Sequence, residues 1–205
     1  MAIKLAVLLS GNGTTLQNIL DRSAAGDLDA TVVCVLASRE KAYGLERARA
    51  AGIPAIAVPR KDFEDTEAFG RAIWSAVEEY APDLVVLAGF MNLLPIPEAY
   101  AGRIMNVHPA LIPAFSGQGM YGDKVYQAVL DYGVKTTGVT VHFVNDEYDR
   151  GPVIAQSPVP VKEDDTVETL AARVQEEERK LYPAAIQLYA EGRLKIEGRH
   201  VRILP

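Results

Sequence analysis

The sequence has little of several features that mark particular classes of protein. Its single cysteine, Cys34, excludes an internal disulfide, and its place in an apolar run predicts a small buried side chain in a reducing compartment. With one cysteine and three scattered histidines, no residues have the spacing of metal ligands, so no metal is expected. No segment is long and apolar enough to cross a bilayer, and the first residues lack the pattern of a signal peptide. We therefore expect a cytoplasmic protein that does not contact membranes.

Positive charge is also scarce. The 205 residues include 21 Lys and Arg against 27 Asp and Glu, a formal net charge of −6, and no basic stripe stands out. Nucleic-acid binding depends on such a stripe, so small molecules are the expected partners. The length suits one large domain, and no repeat or linker divides the chain. The sequence does not give the oligomeric state, and a homodimer is one form that stays open.

Apolar runs alternate with helical patterns over the first half of the chain. Continuous apolar runs, typical of strands covered on both faces, occupy residues 5–9, 31–37 and 84–88. Amphipathic or alanine-rich helical patterns begin near Leu16, Ala42 and Thr66. This alternation predicts an α/β fold with a doubly wound, mostly parallel sheet.

The later part of the chain has a different pattern. Residues 137–144 and 152–156 alternate more between apolar and polar side chains and are joined by a polar turn, which predicts an antiparallel extension of the sheet. A long helix is predicted from about Val167, with Pro183 placed to kink or split it. The last residues predict a short hairpin that turns at Gly198.

The stretch that carries most of the chemistry surrounds Asn106 and His108. As part of a strand, these two side chains project from one face and Val107 from the other. Ligands of α/β proteins usually bind beyond the carboxyl ends of the strands. An amide donor beside an imidazole could hold the oxygen of a tetrahedral intermediate while the imidazole moves protons.

Such an imidazole usually has a carboxylate partner that fixes its tautomer and raises its pKa. The polar turn supplies three acids, Asp146, Glu147 and Asp149, and spacing alone does not choose among them. Solvated turns are often acidic, so the alternative is that none is catalytic. His142 shares a strand face with Thr140 and is interpreted as a hydrogen-bonded structural histidine.

One more carboxylate, Glu178, lies on the apolar line of the long helix, where the spacing predicts burial. Two interpretations stay open. The side chain either extends to solvent or faces a polar ligand.

The glycine-containing loop at residues 10–15 follows the first strand and is a candidate phosphate cradle. It is a poor dinucleotide fingerprint, because Leu16 stands where the third glycine should be and the second strand ends in Ser38 and Arg39 rather than an acid. A small phosphate ester fits better, and a tight turn without a ligand is the alternative.

Five motifs occur in register along nearly the whole chain. They are Ser-Gly-Asn-Gly-Thr-Thr-Leu-Gln, Leu-Ala-Gly-Phe-Met, Asn-Val-His-Pro, Gly-Val-Thr-Val-His-Phe-Val and Asp-Arg-Gly-Pro-Val, at residues 10–17, 87–91, 106–109, 138–144 and 149–153. In this combination the chain closely resembles the phosphoribosylglycinamide formyltransferases, a family of folate-dependent enzymes of purine biosynthesis. The resemblance implies a Rossmann-like formyltransferase fold and formyl transfer from 10-formyltetrahydrofolate, as co-substrate, to the glycinamide amine.

The resemblance also implies roles for individual residues. It makes Asn106, His108 and Asp149 the catalytic amide, imidazole and carboxylate, and it alone selects Asp149 from the three acids. The substrate-binding residues that it implies are Gly13, Thr14 and Thr15 for the phosphate, with Gln175 and Glu178 near the ribose. The folate-binding residues that it implies are Met91, Asn92, Leu93, Leu94, Asn106 and the backbone from Val144 onward.

Some positions depart from the family pattern. Asn92 and Thr66 stand where many relatives have arginine, which would weaken the hold on an anionic polyglutamyl tail unless a nearby cation replaces them. The glycine-rich segment at residues 116–122 is interpreted as a mobile lid. We expect one domain, residues 1–205, with a phosphate-binding half to about residue 105 and a folate-binding and catalytic half from about residue 106.

Three other functions share part of this pattern. A methionyl-tRNA formyltransferase would need a further nucleic-acid-binding domain, and a 10-formyltetrahydrofolate hydrolase would be expected to carry an amino-terminal regulatory domain. A non-catalytic nucleotide-binding module would explain the glycine loop and the sheet. It gives no reason for Asn106, His108 and Asp149 to match together.

Overall fold

The structure, a computed structural model, describes residues 2–205, so residue 1 of the expected domain lies outside it. Its strands are β1 (Ile3–Leu9), β2 (Ala30–Ala37), β3 (Ala55–Ala57), β4 (Leu84–Leu87), β5 (Ile104–His108), β6 (Thr136–Phe143), β7 (Val153–Pro160), β8 (Leu194–Glu197) and β9 (His200–Ile203). Its helices are α1 (Thr14–Ala25), α2 (Tyr43–Ala50), α3 (Thr66–Glu78), α4 (Asp123–Tyr132) and α5 (Val167–Ala190), with short 3-10 turns at Arg60–Asp62 and Glu98–Tyr100.

The chain forms two compact units, one that ends at Asn106 and one that begins at Val107. In the first unit, five strands lie in the order β3-β2-β1-β4-β5, and every pair is parallel. Strands β1 and β4 are buried along almost their whole length, as continuous apolar runs require. Helices α1, α2 and α3 connect these strands, which gives the alternating pattern expected from the sequence.

In the second unit, β6 and β7 form a long antiparallel pair, and β8 and β9 form the carboxyl-terminal hairpin. Helices α4 and α5 pack on this part through an apolar cluster that includes Tyr126, Val139 and Val174. Together these elements confirm the predicted α/β fold with a mostly parallel sheet and antiparallel strands toward the carboxyl terminus. The expectation that the halves act as one domain stays a prediction.

Two local features differ from the sequence expectation. Pro183 does not split the long helix, because α5 continues to Ala190 with Tyr182 and Ile186 buried around the proline. This burial outweighs the one hydrogen bond that proline removes, since packing supplies most helix stability in proteins. Helix α4 was not expected from the sequence; it begins directly after Gly122, the last residue of the glycine-rich segment. Among the helices of residues 2–205, none is long and apolar enough to cross a membrane.

Candidate active site

The carboxyl end of β5 places Asn106 and His108 two residues apart on one strand. Val107 packs on the apolar cluster of the second unit, so the side-chain alternation follows the strand period. His108 is only 3% exposed, whereas Asn106 is half-buried. The imidazole is therefore held by protein groups rather than by solvent.

Both ring nitrogens of His108 face oxygen atoms. Nε2 lies 2.8 Å from the carbonyl oxygen of Phe115, and Nδ1 lies 3.4 Å from Oδ2 of Asp149. A carbonyl oxygen only accepts, so Nε2 carries the proton in this arrangement. Nδ1 then carries no proton in the neutral ring and faces the carboxylate. When the ring is charged, Nδ1 also carries a proton and can donate it in a hydrogen bond to Asp149.

Asp149 is the acid of the polar turn that reaches His108. Its side chain is 10% exposed, and its Oδ2 also accepts a hydrogen bond from the backbone N–H of Gly117 at 2.9 Å. The backbone of Asp149 has φ 54°, a left-handed conformation that Asp tolerates better than most residues. Asp146 and Glu147, the other two candidates, are exposed.

A close backbone approach shapes this turn. A Cβ atom at Gly151 would collide with the carbonyl oxygen of Phe143, the last residue of β6. Only glycine allows the chain to fold back so tightly after Asp149. The glycine of the Asp-Arg-Gly-Pro-Val motif is therefore required sterically, two residues after the carboxylate.

Burial and charge act against each other in this pair. Burial lowers the pKa of His108 below its ordinary value, although Asp149 and the Phe115 carbonyl both raise it. For Asp149, burial raises the pKa, but hydrogen bonds from His142 and Gly117 and the charge of His108 bring it below its ordinary value. Asp149 raises the pKa of His108, as expected of a carboxylate partner, but desolvation of the buried ring outweighs this effect.

A second imidazole lies on the other side of the carboxylate. Nε2 of His142 is 3.7 Å from Oδ1 of Asp149, and its Nδ1 is 2.8 Å from the Phe143 carbonyl. The sequence interpretation of His142 as a structural histidine omitted this contact. The sequence does contain a signal for this contact. Strand β6 ends directly before the acidic turn, so a histidine near the end of β6 lies close to the acids of that turn.

The residues that follow His108 are fixed by Thr140 of β6. Its hydroxyl donates to the Ala110 carbonyl at 2.7 Å and accepts from the Ile112 N–H at 3.1 Å. Gln156 adds bonds to both the Thr140 hydroxyl and the Ile112 carbonyl. The bond between Ile112 and Pro113, left open by the sequence, is cis.

The glycine-containing loop lies in the first unit, at the start of α1. Gly13 is the N-cap residue with φ 70°, and Thr14 and Thr15 are the first residues of the helix. The first turn of α1 contains no acidic residue, so its backbone N–H groups keep their partial positive charge. This arrangement can accept an anion such as a phosphate group.

The remaining predicted residues fall on two segments. Gln175 is exposed and Glu178 is half-buried, both on α5. The buried Tyr126 of α4 is hydrogen-bonded to Gln175. Burial raises the pKa of the Tyr126 hydroxyl, and the charge of Glu178 adds to this effect. Both interpretations of Glu178 stay open.

The predicted folate-binding segment, residues 91–94, follows strand β4 in the first unit. The Met91 N–H donates to the buried Ser10 hydroxyl at 3.0 Å, and Sδ of Met91 is 3.8 Å from an Arg39 guanidinium nitrogen. Leu94 is buried, and Asn92, Leu93, Thr66 and Val144 are all half-buried. Arg39 is thus a cation beside the segment in which Asn92 departs from the family pattern.

Within residues 2–205, no group of three or more His, Cys, Asp and Glu side chains is arranged to hold a metal ion. The contact between His108 and Asp149 is of a kind that suits acid–base chemistry. A buried imidazole beside a carboxylate can take up and release a proton.

Comparison with known proteins agrees with this chemistry. The phosphoribosylglycinamide formyltransferases of Haemophilus influenzae and Escherichia coli are 40% and 41% identical to the chain, each over 95% of it and 90% of that protein. The crystal structure of glycinamide ribonucleotide transformylase 1 from Symbiobacterium toebii is 47% identical, with a TM-score of 0.93 over 100% of this chain and 95% of that one.

A formyltetrahydrofolate deformylase from Pseudomonas syringae is more distant. It is 25% identical, with a TM-score of 0.89 over 100% of this chain and 67% of that one. The family model described as formyl transferase matches residues 3–186. The resemblance inferred from the five motifs is confirmed, and the chain belongs to the formyl transferase family.

Proposed function

We propose that this chain transfers the formyl group of 10-formyltetrahydrofolate to the amine of 5'-phosphoribosylglycinamide, giving phosphoribosyl-N-formylglycinamide in purine biosynthesis. The observation that carries the proposal is the buried His108–Asp149 pair at the end of β5, in a chain of this family. We place the reaction in the cytoplasm, with small molecules as partners, no metal, and a homodimer as the candidate assembly.

We assign the polarisation of the formyl group to Asn106. Its amide would donate to the oxygen that gains negative charge when the substrate amine attacks the formyl carbon. Such donors stabilise the transition state more than the ground state, so they raise kcat rather than substrate affinity.

We assign proton transfer to His108 and its orientation to Asp149. Nε2 points away from the carboxylate and is the ring nitrogen that would exchange protons with the substrate. This requires the Phe115 carbonyl to release Nε2 and the ring proton to move to Nδ1, on the side of Asp149, so that Nε2 is free to take a proton. Asp149 then accepts from Nδ1 and stabilises the imidazolium while the folate nitrogen leaves.

We assign substrate binding to residues outside this pair. Gly13, Thr14 and Thr15 would hold the phosphate at the start of α1, and Gln175 and Glu178 would contact the ribose. The folate would lie against residues 91–94, Asn106 and the backbone from Val144. The segment 116–122 would act as a lid, since Gly117 already bonds Asp149 and the glycines allow hinge motion.

The test follows folate absorbance with purified protein, with and without phosphoribosylglycinamide. Formation of tetrahydrofolate only when the amine is present, together with formylated product, is the expected result. Tetrahydrofolate and free formate without the amine would identify a 10-formyltetrahydrofolate hydrolase, the activity nearest to the more distant deformylase neighbour. No turnover under either condition would favour a non-catalytic nucleotide-binding module.

A further inference from the structure

The loop before α1 is held from one side by helix α2. The backbone N–H of Gly44 donates to the Gly11 carbonyl at 3.1 Å, and Nε of Arg47 donates to the Asn12 carbonyl at 2.9 Å. The contact is tight, because a Cβ atom at Gly13 would lie 2.7 Å from Cα of Gly44. Two successive carbonyl groups of the loop therefore point toward α2.

The peptide plane converts this contact into a direction for the N–H groups. In a trans peptide, the C=O of one residue and the N–H of the next point in opposite directions. With the Gly11 and Asn12 carbonyls bonded to α2, the N–H groups of Asn12 and Gly13 must point away from it. A phosphate cradle needs this orientation, because carbonyl oxygens turned toward an anion would repel it.

Arg47 is itself held in place. Its Nη1 donates to Oε1 of Gln17 on α1 at 3.0 Å, and its guanidinium carbon lies 5.1 Å from the ring centroid of Tyr43. One planar guanidinium thus joins the loop carbonyl to the helix that follows the loop. A lysine could supply a single donor to Asn12 but not the planar fork.

We propose that Arg47 is a positioning residue for phosphate recognition, and this inference rests on the proposed function. It orients the Asn12–Gly13 peptide so that its N–H meets the substrate phosphate, without touching the substrate itself. Because it acts on one substrate group only, its loss should weaken phosphoribosyl binding and leave the chemical step and the folate site unchanged.

The experiment compares Arg47→Met with the wild type and with Arg49→Met. Arg49 lies two residues later on α2, is exposed and forms an ion pair with Glu46, so its loss controls for a missing surface cation. The measurements are kcat, the KM for each substrate and the inhibition constant of ribose 5-phosphate. For Arg47→Met we expect the KM for phosphoribosylglycinamide and the inhibition constant to rise about 10-fold, the size of one lost charged hydrogen bond.

We expect kcat and the KM for 10-formyltetrahydrofolate to stay within about twofold of the wild type. Arg47→Lys keeps one donor and the charge, so its KM for phosphoribosylglycinamide should lie between those of the wild type and Arg47→Met. This variant tests the proposal even if Arg47→Met folds poorly. Any of three results would overturn the inference. They are an unchanged KM for phosphoribosylglycinamide, a fall in kcat together with a rise in the KM for 10-formyltetrahydrofolate, and a KM for phosphoribosylglycinamide in Arg47→Lys as high as in Arg47→Met. If the wild-type protein neither formylates nor binds phosphoribosylglycinamide, the proposed function fails instead.

Discussion

Asp149→Asn gives a direct test of the acid–base site. The change keeps the size of the side chain but removes the charge that lies 3.4 Å from Nδ1 of His108. The imidazole then loses the group that would stabilise its charged form during proton transfer. We expect the protein to fold and kcat to fall strongly.

The size of the loss follows from the distance. At 3.4 Å and an effective dielectric of about 20, two unit charges attract by about 5 kcal/mol, an upper bound because both charges are delocalised. This corresponds to about 4,000-fold in rate. General acid–base catalysis contributes about 100- to 10,000-fold, so we expect kcat to fall between about 100- and 4,000-fold.

The assay measures tetrahydrofolate formation across pH for the wild type, Asp149→Asn and Asp146→Asn. Asp146 is an exposed acid of the same turn and serves as the matched control. Burial lowers the pKa of His108, so the acid limb of wild-type kcat/KM should lie below the ordinary value of 6.5. Asp149 raises that pKa, so its removal should move the limb to still lower pH.

Two results would refute this reasoning. One is an Asp149→Asn enzyme that keeps kcat within about fivefold of the wild type, since acid–base help is worth far more. The other is an equal loss in Asp146→Asn, which would show that the turn acts through its net charge. A shift of the acid limb to higher pH would contradict the electrostatic account of His108.

Three further changes have expected outcomes. His108→Ala should retain the circular dichroism spectrum of the wild type and lose about 100- to 10,000-fold in kcat; near-normal turnover would remove the imidazole from the mechanism. Gly13→Ala should lower the free energy of unfolding by about 1–3 kcal/mol and raise the phosphoribosyl KM, because φ is 70° and Gly44 is in the way; a wild-type melting curve would contradict this. Asp165→Asn should cost about 2 kcal/mol in urea unfolding at pH 7 by breaking the bidentate bond to Arg173. The pKa of Asp165 is lowered from 3.8 chiefly by that bond, so the difference from the wild type should shrink as pH falls below that value, and a constant difference would count against the pair.

The sheet was predictable because its strands are apolar on both faces. Residues 5–9 and 84–88 were expected as buried strands, and β1 and β4 occupy nearly the same positions. The hairpin at the carboxyl terminus was also expected, and Gly198 lies between β8 and β9 with φ 60°. In each case a local pattern of burial or turn chemistry was enough.

Helix α4 and the continuity of α5 were not predictable in the same way. The ten residues of α4 bury Val125, Tyr126 and Val129, but the glycine-rich stretch before them masks the helical period. Pro183 is a strong local signal for a break, and it was overruled by the burial of its neighbours in the folded chain. The unexpected helix α4 and the absence of a split at Pro183 both arise where long-range packing decides a local conformation.

The position of Asp149 beside His108 shows why spacing alone could not choose among the three acids. The three side chains lie within four residues, and what separates them is the backbone. Asp149 has a left-handed conformation followed by the tight return at Gly151, which turns its carboxylate inward while Asp146 and Glu147 stay exposed. The information lies in the residues after the acid, where only glycine fits.

Burial and the charge of Asp149 have opposite effects on the pKa of His108. A general base must be unprotonated at the pH where it acts, and burial alone would satisfy this by making the ring reluctant to take a proton at all. Asp149, 3.4 Å away, opposes that effect without cancelling it. The ring therefore stays neutral in the resting protein, but Asp149 stabilises the charge that the ring gains when the substrate amine delivers a proton. A net pKa above neutrality would leave His108 already protonated and unable to act as the base. The lowered pKa, which the sequence did not reveal, is therefore what the proposed proton transfer requires.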